Sequence, residues 1–146
     1  NPTQPIKYTV TMIDISGLAT SGSGSIEADT VDGSIMDLDT SGSGGIDVTS
    51  LNADSLSVAI YGSGLVRLAG QVNDQQVNIS GSGEYAAADL SSNIADIAVS
   101  GSGKAVVQVS DTLDASISGS GQVSYYGDPI VTSNVSGSGS IEKLDE

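Results

Sequence analysis

The chain has no His and no Cys, and that narrows its chemistry at once. Nucleophilic triads and thiol chemistry are excluded, and no disulfide framework exists. General acid–base work would fall to carboxylates. These are plentiful, at 18 Asp and Glu against 4 Lys and Arg, for a formal net charge of −14. A glycoside hydrolase needs two carboxyl groups facing each other across a cleft, one with a raised pKa. The acids here form no such cluster, and no long loop is present to build a cleft. A polysaccharide lyase would want a basic residue as its base. Arg67 is the only Arg, and Lys7, Lys104 and Lys143 are widely scattered.

Narrower features bear on binding chemistry. Gly101-Ser102-Gly103-Lys104 has the look of a phosphate loop, but Ala98 stands where that motif needs Gly and Ala105 where it needs Ser or Thr. Calcium-binding nonapeptide repeats need an Asp column that is missing here. Asp96 and Asp114 stand five residues before successive Gly-Ser-Gly triplets. In a stacked architecture they are neighbours within reach of one cation, although two carboxylates make a thin shell for a hard ion. No cofactor is expected. Among the five Tyr, Tyr61 and Tyr126 are the candidates for ligand contact, while Tyr85 and Tyr125 fall at inward-facing positions.

The element that must position these residues is a repeat. Seven Gly-Ser-Gly triplets begin at Gly22, Gly42, Gly62, Gly81, Gly101, Gly119 and Gly137 and close at Gly24, Gly44, Gly64, Gly83, Gly103, Gly121 and Gly139. The intervals between them are 20, 20, 19, 20, 18 and 18 residues. A fixed period of this size means one structural unit stacked along an axis. Four residues after each first Gly stand Ile26, Ile46, Val66, Tyr85, Ala105, Val123 and Ile141. Two residues before it stand Thr20, Thr40, Ile60, Ile79, Val99, Ile117 and Val135. On both flanks apolar and polar residues alternate with period two, which is a strand signal. Between the flanks lie Asp32-Gly33, Asn52-Ala53-Asp54, Asn73-Asp74, Ser91-Ser92-Asn93, Asp111-Thr112 and Gly127-Asp128-Pro129, residue types that favour a bend. Each repeat therefore reads as strand, bend, strand and Gly-Ser-Gly corner.

An all-β chain that winds explains the recurrence of small residues better than a meander does. A stacked corner column tolerates little side-chain volume, and Gly supplies positive φ. The expected fold is a right-handed parallel β-helix (β-solenoid) of about seven coils of 18–20 residues, roughly 34 Å long at ~4.8 Å per layer. Stacked corner serines would form a hydroxyl ladder. The 146 residues make one domain, with 1–16 as lead-in strand or N-terminal cap and 17–146 as repeats. The chain has no Phe or Trp, and aromatics are only 3%, as suits a thin core of Ile, Val, Leu and Ala. No stretch approaches the roughly 20 apolar residues that span a bilayer. Strong acidity disfavours nucleic acid and anionic membrane surfaces.

The Ser-Gly-Ser-Gly corners resemble a bacterial domain of unknown function, the auto-transporter adhesin head or GIN domain. The resemblance is most specific where Val123-Ser124-Tyr125-Tyr126-Gly127-Asp128-Pro129 leads to Val135-Ser136-Gly137-Ser138-Gly139-Ser140-Ile141, and it covers about residues 10 to 146. Tyr61 departs from it by standing where Ser precedes the other triplets. So do Ser25, Gly45, Leu65, Glu84, Lys104, Gln122 and Ser140, which follow the corners where relatives often have Asp. These departures argue against carrying over a ligand site. The resemblance implies a right-handed β-helix exported by bacteria, often as a lipoprotein or surface protein. On this reading the chain is a non-catalytic adhesin or structural module of the cell surface or periplasm, with any signal or lipid anchor outside it. Its partners would be a glycan or a surface protein. The alternatives are a carbohydrate-binding or pectinase-like β-helix, and a solenoid that self-associates.

Overall fold

The computed structural model describes residues 15–145. The lead-in strand or cap expected over 1–16 therefore lies outside the described residues, apart from Ile15 and Ser16. From Gly17 onward the chain is strand and corner, and no helix occurs among the described residues. The strands are β1 (Gly17–Gly22), β2 (Ser25–Gly42), β3 (Gly45–Gly62), β4 (Leu65–Gly81), β5 (Glu84–Gly101), β6 (Lys104–Gly119), β7 (Gln122–Tyr126), β8 (Ile130–Gly137) and β9 (Ser140–Lys143). Each pairs in parallel with the strand one turn away, in the order β1-β2-β3-β4-β5-β6-β7-β9, with β8 also on β6. This is a β-solenoid of about six full turns, close to the seven coils expected, with β1 and β9 as partial turns at its ends.

Burial along β3 shows the shape of one turn. Ile46 and Val48 point inward, then Leu51 and Ala53, then Leu56, Val58 and Ile60. Thr49-Ser50 and Asp54-Ser55 are consecutive exposed residues that break the alternation, and each such pair marks a corner. The turn is thus three-sided: a first side after the glycine corner, a short second side, and a third side that runs back into the next glycine corner.

The expected bend falls in part at the corner that ends the second side, where Asp54, Asn73-Asp74, Asn93 and Asp111-Thr112 belong to runs of consecutive exposed residues, and in part on the second side itself. Asp32 and Gly33 pair in register with Asn52 and Ala53, so this stretch is strand in most turns. Its polar residues face outward and bond to their counterparts one turn away. Gln71 Nε2 donates to Asn52 Oδ1 at 3.3 Å, Asn73 Nδ2 to Asp54 Oδ1 at 3.2 Å and Asn93 Nδ2 to Asn73 Oδ1 at 3.5 Å. Amide side chains suit corners and cross-strand ladders alike, and Asn73 and Asn93 serve in both. Of the expected bends, Gly127-Asp128-Pro129 alone lies outside a strand, between β7 and β8.

The glycine corner is fixed by sterics that differ at its two glycines. Gly101 has φ 116°, and a Cβ there would lie 2.6 Å from the Gly81 carbonyl oxygen of the turn below. At Gly103 a Cβ would lie 2.5 Å from Cγ2 of Ile79. The first glycine supplies the left-handed backbone, and the second lets the next turn settle on the aliphatic core. The expected serine ladder is absent: among the described residues no hydroxyl–hydroxyl bond joins the corner serines. The ladder is made of backbone instead, with the Ser102 N–H donating to Gly81 O at 2.8 Å and the Ser120 N–H to Gly101 O at 2.8 Å.

Candidate functional site

The third side carries the most regular surface of the rod. Turns differ in length, and the register shifts that absorb the difference fall between Val48/Leu51, Arg67/Ala69, Ala87/Ser91 and Ser92/Ile94. All of them lie before the third side. From there to the glycine corner every turn matches the next residue for residue, so outward side chains form straight columns. One column runs Asp37, Ser57, Gln76, Asp96, Asp114, Thr132; the next runs Asp39, Ala59, Asn78, Ala98, Ser116, Asn134; the last runs Ser41, Tyr61, Ser80, Ser100, Ser118, Ser136.

The last two columns line a shallow, open groove of about 400 Å³. It begins at Tyr61, passes over Asn78 and Ser80, Ala98 and Ser100, and Ser116 and Ser118, and reaches Asn134 and Ser136, with Ile79, Val99 and Ile117 along its floor. None of its lining residues is charged, on a chain of net charge −14. Tyr61 is 54% exposed and replaces the serine of its column, so its ring walls one end. On the far side of that wall stand two acids, Asp39 in a groove column and Asp37 in the column beside it.

The structure brings some of the sequence candidates together and separates others. Tyr61 is part of the groove. Asp96 and Asp114 are register partners in the column beside it, both exposed. No group of three or more His, Cys, Asp or Glu residues able to hold a metal ion occurs among the described residues. Tyr126 closes β7 on the first side, opposite Gln108, half-buried and away from the groove. Tyr85 is fully buried, and Tyr125 is half-buried against the core. The glycines stand at the corners as expected, with positive φ at the first of each triplet.

Sequence reasoning missed two features. The first is the uncharged stretch of the third side, whose signal was the loss of acids from the last two columns after Asp39. The second is a buried polar chain. Tyr85 Oη donates to Gln75 Oε1 at 2.8 Å, Gln75 Nε2 to Ser92 Oγ at 2.7 Å, and Ser92 Oγ to the Gln108 carbonyl at 2.9 Å. Gln75 occupies an inward column of Leu56, Ala95 and Leu113, and a polar residue in that column was the available signal. Burial pushes the Tyr85 phenol far above its ordinary range.

A model of the family described as "Putative auto-transporter adhesin, head GIN domain" matches residues 1–129. A crystal structure described as a putative lipid binding protein from Parabacteroides distasonis ATCC 8503 is similar, with a TM-score of 0.88 and 34% identity over 91% of this chain and 55% of that one. A putative adhesin from Bacteroides fragilis NCTC 9343 has a TM-score of 0.84 and 25% identity, over 89% of this chain and 61% of that one. A putative adhesin from Parabacteroides merdae ATCC 43184 has a TM-score of 0.81 and 27% identity, over 87% and 54% of the two chains. The chain thus spans 54–61% of the length of these structures. No curated protein matches it.

Proposed function

The chain belongs to the putative auto-transporter adhesin, head GIN domain family, and from that premise we propose that it is a non-catalytic binding module exported to the bacterial surface or envelope, with the third-side groove as its working face. The family and the two related structures described as adhesins support the class of function. The observation that carries the choice of face is the uncharged groove walled by Tyr61 on an otherwise acidic rod. Such a surface favours neutral, hydroxyl-rich ligands. Exposed aromatic rings offer an apolar face to sugar C–H groups, and serine and asparagine side chains exchange hydrogen bonds with sugar hydroxyls.

A catalytic role finds less support. Asp96 and Asp114 stand side by side on a flat surface rather than across a cleft, so neither is placed to act as acid opposite a base. Calcium is not needed for the proposed contact, and the two carboxylates alone make a poor cage for it.

The test is binding of the purified chain to an array of neutral glycans, matrix proteins and phospholipid vesicles, with calcium and then with chelator. The expected result is a neutral-glycan signal that chelator leaves intact and that Tyr61→Ala weakens. Chelator sensitivity would assign a cation to Asp96 and Asp114. Binding to vesicles alone would replace the glycan reading with a lipid one.

A further inference from the structure

The groove repeats the same chemistry at a constant pitch, and a single small ligand would use only one period of it. Ser80, Ser100, Ser118 and Ser136 are consecutive register partners, which places four hydroxyl-bearing side chains in line, about 4.8 Å apart. From Tyr61 to Ser136 the line takes four steps between layers, about 19 Å. The two ends differ. At one end stands the exposed Tyr61, with Asp37 and Asp39 on the turn behind it. At the other, Ser136 lies on β8, every residue of which is exposed, and nothing among the described residues walls the groove there.

We infer that the groove takes an uncharged linear polymer of hydroxyl-bearing units, an extended neutral glycan chain, laid parallel to the rod axis with one end against Tyr61. This rests on the reading of the third side as the binding face. An anionic polymer would be repelled by the acids along the neighbouring column and behind Tyr61. A folded protein partner would bury about 800 Å² on this side, more than one shallow groove of about 400 Å³ offers by itself. A neutral chain meets the same serine at each layer, so each added unit gains a similar contact until the groove is filled, at about four units.

The test is calorimetric titration of the full chain with cello-, chito-, malto- and laminari-oligosaccharides of one to six units. For the linkage that binds, Kd should fall with each added unit up to about four and then level off. Tyr61→Ala should raise Kd about tenfold at every length, the scale of one lost aromatic contact. Ser118→Glu, one layer from the open end, should raise the Kd of the four-unit ligand severalfold. Equal Kd for one unit and four would overturn the polymer inference while leaving the groove as the binding face. Failure of every series to bind, or a Kd indifferent to Tyr61→Ala, would bring down the choice of face as well. Circular dichroism melts of both variants, expected to match the parent, separate lost binding from lost fold.

Discussion

Tyr85 is the one fully buried aromatic ring among the described residues, and its surroundings are cut to fit it. Its register partner one turn on is Ala105, and Ala87 and Ala95 of its own turn are small as well. Small neighbours leave room for one large ring in a core otherwise filled by aliphatic layers. The hydroxyl then satisfies Gln75, and no buried side-chain nitrogen or oxygen lacks a partner among the described residues. Tyr85→Phe keeps the volume but leaves the Gln75 carbonyl unpaired, at an expected cost of about 1–3 kcal/mol in urea unfolding. The same ring gives a pH signature. The unfolded chain ionises Tyr near its ordinary value of 10.0, whereas the buried phenol stays neutral to higher pH. The contribution is whole below pH about 10 and shrinks as pH rises above it, because the unfolded chain then sheds a proton that the folded chain keeps. The stability gap between parent and Tyr85→Phe should therefore narrow between pH 9 and 11, and a constant gap would refute the account. Glycine offers a second contrast. Gly101→Ala places a side chain at φ 116° against a backbone oxygen and should cost at least about 1–3 kcal/mol, whereas the exposed Ser102→Ala should stay within about 0.5 kcal/mol. At this scale the glycine columns were legible, since a fixed spacing repeats the same steric demand seven times. The Tyr85–Gln75 bond was not, because it joins different columns of successive turns and no period announces it.

The elements divide into a regular half and a variable half. Counting back from each triplet predicted the third side residue for residue, including the adjacency of Asp96 and Asp114. No register shift intervenes between that side and the glycine corner, so the triplet serves as a reliable ruler there. The second side lies beyond the shifts, and the ruler slips by one or more residues in reaching it. Its Asn and Asp residues signal the corner that ends it, at Asp54, Asn73-Asp74, Asn93 and Asp111, but not that the stretch before the corner, at Asp32 and Asn52, pairs as strand. The amide ladder is testable through charge. In Asn73→Asp the new carboxylate sits beside Asp54, the acceptor of the lost amide bond, and faces the Asn93 amide on its other side. Asn73→Asp should lower the melting temperature more than Asn73→Ala at low salt. The difference should shrink as salt screens two exposed carboxylates. Equal melting points at low salt would show that the ladder contributes shape but little energy.

As a whole the molecule is nearly one-dimensional, since each turn touches little beyond its two neighbours. Removal of residues 45–64, one turn from corner to corner, brings Ile26 and Ala28 of β2 against Val66 and Leu68 of β4. It leaves the column chemistry intact. The shortened rod should fold, with a denaturant m-value lower by about one sixth. Because Tyr61 leaves with that turn, binding at the proposed groove should weaken at least as much as in Tyr61→Ala while the fold survives. A chain that fails to fold would show that the turns are not interchangeable. The parallel register has a mechanical consequence too. Strands lie across the rod, so the hydrogen bonds between turns point along it. Tension applied between the two ends would load those bonds in series and peel the terminal turn first, rather than shear the whole sheet at once. Each turn adds about 4.8 Å to the folded rod but holds 18–20 residues, which extend to roughly 60–70 Å when drawn out. A surface tether built this way would lengthen more than tenfold per turn under a steady pull, yielding one layer at a time like an unwinding spring that damps a tug before it reaches the bound ligand.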